Sequence, residues 1–226
     1  MEPKIITTKD GSHSIYLPHL DEHYHSVHGS IQESEHVFIK NGWCSYAREH
    51  NVNSTIKIFE VGLGTGLNAL LTYLWAKENN FLIDYFSIEA FPLDIKVIEK
   101  LNYPQLLGIK EALPCFNKIH QNMCDEMTTL DDCFNLLKIN QDIFTYTFPE
   151  NHFDILYYDA FGPRAQPEMW EFDILKKVTQ SLRQNGRFVT YCAQGKLKRN
   201  LRSLDLEVIT LEGPPGKREM IVGVKK

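Results

Sequence analysis

The hydrophobic pattern changes period several times along the chain, and each change marks an element. Ile56 to Val61 is a short apolar run that breaks into glycines, after which apolar residues recur at Leu67, Leu70, Leu71, Leu74 and Trp75. Spacings of three and four lay one stripe along a helix, so Leu67 to Glu78 reads as a helix packed on a sheet. Phe81 to Ile88 predicts a second strand, ending in Glu89. Pro92 then opens a helix, at a position where proline is tolerated, and Asp94 to Leu101 continues it. Phe134 to Ile139 and Phe153 to Tyr158 predict two more strands, ending near Asp142 and in Asp159. Glu168 to Leu182 reads as a helix stopped by Asn185-Gly186, Arg187 to Cys192 as a fifth strand, and Gly195 to Leu204 as a short basic helix. Leu206 to Leu211 and Met220 to Val224 flank Gly213-Pro214-Pro215-Gly216, so they should pair as a terminal hairpin.

Strands alternating with helices are the signature of βαβ units, which predicts an α/β fold around a mainly parallel sheet. At 226 residues the chain is long enough for one well-filled α/β domain and short for two. The expected division is an N-terminal cap over residues 1–55 and a Rossmann-like domain over 56–226, forming one globular unit. Within the cap, Ser14 to Leu17 reads as a short strand and Glu33 to Arg48 as a helix interrupted near Asn41-Gly42. Residues 102–132, with Pro104, Pro114 and no sustained period, read as a helical or irregular insertion.

Composition narrows the class. A hydrophobic share of 43% and a charged share of 23% are ordinary globular values, and no apolar run approaches the ~20 residues of a membrane span. The start, Met1 to Gly11, is polar and lacks a signal-peptide core. Five cysteines, at 44, 115, 124, 133 and 192, are an odd number without a Cys-x-x-Cys pair, as expected of reduced thiols in a cytoplasmic enzyme. Six of the nine histidines fall between His13 and His36, but no Cys or carboxylate set completes a metal-ligand spacing around His23, His25 and His28, so no metal is expected. The net charge of −5 conceals an asymmetry: residues 160–226 hold 13 Lys and Arg against 7 Asp and Glu. Such asymmetry permits a phosphate-binding face on an acidic protein, and ordinary solvated helix faces account for it equally well.

The candidate chemistry begins at Glu60-Val61-Gly62-Leu63-Gly64-Thr65-Gly66-Leu67-Asn68. Glycines at a strand-to-helix turn reach positive φ and let a ligand approach the backbone, while the helix start offers free N–H groups. A dinucleotide loop would want its last glycine one place later, where Leu67 stands, so the pattern suits S-adenosylmethionine better than a nicotinamide cofactor. A tight turn in any α/β protein remains the bland alternative. Glu89 follows Gly66 at close to the ~20-residue spacing at which an acid reaches ribose hydroxyls. Asp142 is placed to accept from an adenine amino group, and Asp159 to stand beside the reacting centre. Any one of these acids alone reads equally as a cap or surface carboxylate; three in succession at strand ends make coincidence less probable.

Asp159-Ala160-Phe161-Gly162-Pro163-Arg164-Ala165-Gln166-Pro167-Glu168-Met169-Trp170 resembles the Asp-x-Phe-x-Pro-x-x-Asn-Pro-x-Met-Trp signature of the tRNA 5-methylaminomethyl-2-thiouridine methyltransferase family, whose members stand alone or form half of a bifunctional protein. The resemblance extends over Glu35 to Phe38, Gly62 to Asn68, Ser87 to Glu89 and Gly216 to Met220. Gln166 departs from the usual Asn, and Ala165 from a common Lys. The resemblance implies a class I methyltransferase fold, S-adenosylmethionine as donor and the wobble uridine of tRNA as acceptor, its aminomethyl group becoming methylaminomethyl. A flavin oxidase domain, which generates the amine in fused members, has no room here, so another enzyme is expected to supply the aminomethyl uridine.

On that reading Asp159 is the expected catalytic residue, holding the incoming ammonium and orienting or accepting its proton, or passing that proton to water. Glu60, Gly62, Gly64, Gly66, Asn68, Glu89 and Asp142 are the expected donor contacts. Phe161, Pro163, Trp170, Lys196, Lys217 and Arg218 are the expected substrate contacts, with Phe161, Trp170 and Tyr158 offered to a flipped-out base and Trp170 read equally well as core. Two other classes stay open at this point: an aminopropyltransferase of the spermidine synthase type, and a non-catalytic RNA-binding protein on the same fold.

Overall fold

Strands apolar on both faces need helices on both sides of their sheet, and the central strands here are of that kind. The computed structural model describes residues 3–50, 54–121 and 125–226. In chain order it contains β1 (Lys4–Thr7), β2 (His13–Leu17), β3 (Glu22–His23), α1 (Ser30–Ser34), a π-wound stretch Glu35–Cys44 and α2 (Ser45–Glu49). Next come β4 (Ile56–Val61), α3 (Leu67–Asn79), β5 (Ile83–Ile88), α4 (Ile95–Ile98), α5 (Tyr103–Leu107), α6 (Ala112–Gln121), β6 (Thr128–Asp131) and β7 (Phe134–Ile139). The last part holds β8 (Phe153–Tyr158), a 3-10 turn Pro167–Trp170, α7 (Phe172–Gln180), β9 (Leu182–Thr190), α8 (Gly195–Ser203), β10 (Leu206–Glu212) and β11 (Glu219–Lys225).

The main sheet runs β10-β11-β9-β8-β4-β5-β7-β6. Neighbours from β9 through β8, β4 and β5 to β7 are parallel, and β6, β11 and β10 add antiparallel edges. This is the expected α/β class with its terminal antiparallel hairpin. Strand order reverses at β4, whose neighbours are β5 on one side and β8 on the other. A crevice opens at such a switch point because the connections leave toward opposite faces.

Alternate residues supply the two cores. Ile56 and Ile58 of β4, with Ile155 and Tyr157 of β8, face a layer built from residues 31–46, α3, α5 and α6. Phe59 and Val61, with Leu156 and Tyr158, face α7 and α8 through Ile174, Leu175, Val178, Leu197 and Leu201.

Several expectations need correction. The N-terminal segment is part of the core: Ile15, Val37, Phe38, Ile39 and Trp43 are all buried. Its helix does not break at Asn41-Gly42 but widens to π winding, with Asn41 Nδ2 donating to the His36 carbonyl at 2.7 Å. A Cβ at Gly42 would stand 3.2 Å from Tyr157, so the glycine lets the helix close on the sheet. Winding with a period other than 3.6 scrambles the apolar stripe, which is why no clean helical period shows there. Residues 102–132 contain α5, α6 and the strand β6; residues 122–124, including Cys124, lie outside the described residues. The helix expected over Glu168 to Leu182 is a 3-10 turn followed by α7, and β9 starts earlier than expected, at Leu182.

One carboxylate fastens these layers at the strand ends away from the crevice. Buried Asp154 accepts the Tyr46 hydroxyl at 3.0 Å, the Lys57 N–H at 2.8 Å and the Arg183 guanidinium at 3.1 Å. Asp154→Ala leaves the first two donors buried and unmatched, so we expect a loss of about 2–4 kcal/mol in urea unfolding. Arg183→Met removes only the half-exposed partner and should cost less than about 1 kcal/mol.

Candidate active site

At the end of β4 the chain passes Gly62, Gly64 and Gly66, whose φ values are +87°, +50° and +72°. A Cβ on Gly62 would lie 3.2 Å from the Asp159 carbonyl oxygen, and one on Gly64 would lie 3.0 Å from the Tyr24 ring. The loop is therefore pressed between the end of β8 and the N-terminal hairpin, and Gly62 and Gly64 present no side chain to the crevice. Gly66 precedes α3 without a side-chain cap, and a Cβ there would run into His120. Thr65 is gripped from both sides: His25 Nε2 lies 2.7 Å from its hydroxyl and His120 Nε2 lies 3.1 Å from its carbonyl oxygen. Burial pushes both imidazoles down to about 4, so they are neutral near pH 7.

Three acids surround the loop. Glu89 accepts the Gly64 N–H at 3.1 Å and the Phe91 N–H at 2.9 Å, which fixes its carboxylate at the crevice. One oxygen of Asp142 accepts the Phe144 N–H at 2.9 Å. Asp159 Oδ2 accepts one N–H of the Asn68 amide at 2.8 Å, and the same amide nitrogen donates to Glu60 Oε1 at 3.0 Å. Glu60 Oε2 receives the Ser87 hydroxyl at 3.0 Å. Burial, with the charge of Glu33 second, pushes the Asp159 carboxyl up to about 7, against the opposing effects of Asn68 and Lys217. Burial and then the charge of Asp159 push Glu60 up to about 8.

A cavity of about 910 Å³ joins these groups and is lined by Gly62, Gly64, Glu89, Asp142, Asp159 and Phe161. Clefts for small molecules span roughly 300–1,000 Å³, so this one has room for a nucleoside-sized donor and a second reactant. The opposite wall comes from the two ends of the sequence. Tyr24 meets Phe161 edge-on at 5.0 Å between ring centres. Lys217 Nζ donates to Glu33 at 2.7 Å and stands 3.6 Å over the Tyr191 ring.

Of the expected donor contacts, Gly62, Gly64, Glu89 and Asp142 face the cavity, whereas Gly66 and Asn68 lie behind its wall. Glu60 is fully buried and cannot touch a ligand; it anchors Asn68. Of the expected substrate contacts, Phe161 and Lys217 line the cavity, and Pro163, Trp170, Lys196 and Arg218 do not. Trp170 is 4% exposed and gives its indole N–H to the Phe161 carbonyl at 2.8 Å, so it props the loop from beneath and has no face for a base. Gln166 does related work, accepting the Phe161 N–H at 3.2 Å. Lys196 is paired with Glu171 at 2.7 Å. Sequence reasoning missed Tyr24, Glu33 and Tyr191, because no local pattern links a residue near the start of the chain to one near its end. The histidines once considered for a metal have other neighbours: His25 bonds Thr65, His28 faces Lys9 at 3.2 Å, and His23 packs on Tyr16. Among the described residues no cluster of His, Cys, Asp and Glu could hold a metal ion.

Residues 116–226 match the family described as S-adenosyl-L-methionine-dependent methyltransferase. The matched stretch is just under half of the chain. Over 220 residues it is 32% identical to the tRNA 5-methylaminomethyl-2-thiouridine biosynthesis bifunctional protein MnmC of Leptospira borgpetersenii, covering 90% of this chain and 32% of the relative. The protein of the same name from Pseudoalteromonas atlantica is 29% identical over 218 residues, covering 90% and 31%. The chain thus spans about a third of the length of these curated relatives. A crystal structure of MNMC2 from Aquifex aeolicus superposes with a TM-score of 0.78 at 22% identity, covering all of this chain and 70% of that one, which establishes the fold.

The methyltransferase site fits its donor, S-adenosylmethionine. Gly62 and Gly64 keep a side-chain-free cradle, and Glu89 and Asp142 offer carboxylates along the same cavity. Gly64→Val would collide with Tyr24, and Glu89→Ala would release the Gly64 N–H. We expect each to weaken donor binding by roughly tenfold or more in calorimetry, the scale of one charge-assisted hydrogen bond. Unchanged affinity in both would refute this placement of the donor.

Proposed function

We propose that this methyltransferase modifies the amine of 5-aminomethyl(-2-thio)uridine at the wobble position of tRNA, giving the methylaminomethyl nucleoside. The observation that carries the reading is Asp159: a carboxylate at the switch point, held at Oδ2 by Asn68, opening on a cavity that also holds the glycine cradle and Phe161. The donor supplies a methyl group already activated by a positively charged sulfur, so the protein needs mainly to align and deprotonate an amine. An ammonium has no lone pair. Asp159 Oδ1, not engaged by Asn68, is the atom that receives the ammonium and takes its proton. With its carboxyl held near 7, Asp159 is ionised in a useful fraction near neutral pH and basic enough to accept that proton. Phe161 and Tyr24 present aromatic surface beside it for the displaced base. The similarity to the MnmC proteins over nine-tenths of the chain supports the same substrate class. A separate enzyme supplying the aminomethyl uridine belongs to this proposal.

The tRNA would lie along the basic terminal third. Lys196 and Lys198 are paired with Glu171 and Glu219. Arg199, Arg202 and Arg218 are exposed and make no ion pair among the described residues. They are better placed than Lys196 to meet phosphates.

Labelled-methyl transfer to tRNA carrying aminomethyluridine tests the reading directly, and tRNA from a strain lacking the gene should accumulate that nucleoside. Unchanged tRNA in such a strain would sink it. Asp159→Asn should keep donor affinity while kcat falls by roughly 10² or more. Below about pH 7 the wild-type carboxyl carries a proton and cannot take another, so its kcat should fall on the acid side. The variant's rate should fall at higher pH still, because its amine must lose the proton to water unaided. Parallel profiles would show that Asp159 does not manage the proton.

Charge reversal at Arg199 and Arg202 should weaken every tRNA alike and flatten the salt dependence of binding, since each lost phosphate contact removes about one released counterion. Wild-type affinity that does not change with salt would leave this face as solvated surface.

A further inference from the structure

The wall opposite the glycine cradle holds an ion pair that the reaction does not use directly. Glu33 is 6% exposed yet lines the cavity, with Oε1 accepting Lys217 Nζ at 2.7 Å and Oε2 accepting the Ser26 N–H at 2.7 Å. Lys217 lines the same cavity and stands over the ring of Tyr191, whose hydroxyl donates to the Ala160 carbonyl at 2.8 Å, one residue from Asp159. The hairpin turn that carries Lys217 is seated closely: Gly216, at φ +88°, has no room for a Cβ against His28, and His36 Nε2 lies 2.8 Å from the Glu212 carbonyl oxygen. Two charges of opposite sign, from segments 184 residues apart, thus line the same cavity as the Asp159 carboxyl.

We propose that Glu33 and Lys217 are an opposed pair of positioning residues that set, from outside the reacting centre, how readily Asp159 holds a proton. This rests on the assignment of Asp159 as proton acceptor. The groups that face Asp159 come from every surrounding element. Asn68 of α3 donates to it, Glu60 of β4 and Tyr85 of β5 are coupled to its charge, and so is Tyr191, which follows β9. Glu33 and Lys217 act on it with opposite sign. The hydrogen bonds of Asn68 and Glu60 go to Asp159, Ser87 and each other and not to the pair, so the pair can be read separately.

A purely structural clamp and an electrostatic device make different predictions. If the pair only clamps, Glu33→Gln and Lys217→Met disturb the site in the same direction. If its charges matter, Glu33→Gln removes the negative neighbour and lets Asp159 lose its proton more easily, whereas Lys217→Met removes the positive neighbour and does the reverse. The experiment is a carbon NMR titration of the Asp159 carboxyl in the full chain labelled at aspartate, with the signal assigned from Asp159→Asn. Relative to wild type the midpoint should fall in Glu33→Gln and rise in Lys217→Met, each by roughly one pH unit, the scale of a nearby charge. The double variant should return between them. The acid limb of kcat on aminomethyl tRNA should move the same way in each variant. Midpoints that shift together, or do not move, would overturn the proposal. If Lys217→Met does not fold, Lys217→Gln carries the same sign. Opposite NMR shifts in a protein that transfers no methyl to tRNA would keep the pair and reject the function, and the converse result would reject the pair alone.

Discussion

The amide of Asn68 stands between two carboxylates, Glu60 and Asp159, and gives one N–H to each. Two carboxyl groups brought together in a buried place repel each other's charge, and without a shared donor they would be driven apart or neutralised. Asn68 resolves this and in doing so fixes three elements. Glu60 belongs to β4, Asp159 ends β8, and Asn68 opens α3, so the glycine loop between β4 and α3 has its ends tied to the strand next door. The glycine loop and the Asp159 carboxylate are therefore held by one side chain.

The rest of the site is assembled around that bridge from distant parts of the sequence. His25 and His120 reach Thr65 from opposite sides, and Trp170, Gln166 and Tyr191 brace the loop after Asp159 through backbone groups of Phe161 and Ala160. These contacts explain why much of the signature between Asp159 and Trp170 is not itself in contact with the cavity. A carboxylate that is to act with little room for error needs its backbone held as firmly as its side chain.

The fold was legible where short-range physics decides it. Phe134 to Ile139 and Phe153 to Tyr158 are strands with the bounds that their apolar runs predict, and α3 begins at Leu67 where the stripe begins. That Gly62, Gly64, Glu89, Asp142 and Asp159 gather on one cavity was legible because a switch point brings strand ends together. Glu60 and Trp170 were misread for a shared reason: membership of a motif records that a position matters, not whether it touches the ligand or the residue that does. Tyr24, Glu33 and the pairing of Lys217 were illegible because they depend on the packing of the N-terminal segment, whose π-wound helix hides its apolar face from a 3.6-residue period. The surface charge of α8 misled in another way, since Lys196 and Lys198 are matched by acids far away in sequence.

The contact between Glu33 and Lys217 also bears on the order in which the protein becomes competent. Translation delivers the glycine cradle, Glu89 and Asp159 early, and the hairpin turn at Gly213 to Gly216 more than fifty residues after Asp159. Until that turn has left the ribosome, Glu33 lacks its cation and the Tyr191 ring lacks its cover. A nascent chain can thus form the glycine side of the crevice while the side opposite is still missing a wall. Contacts of such long sequence separation form slowly, because the loop they close must be ordered first. Binding of the donor and readiness for the acceptor are in this sense separate events in the life of each molecule, the first belonging to the sheet and the second to the meeting of its two ends.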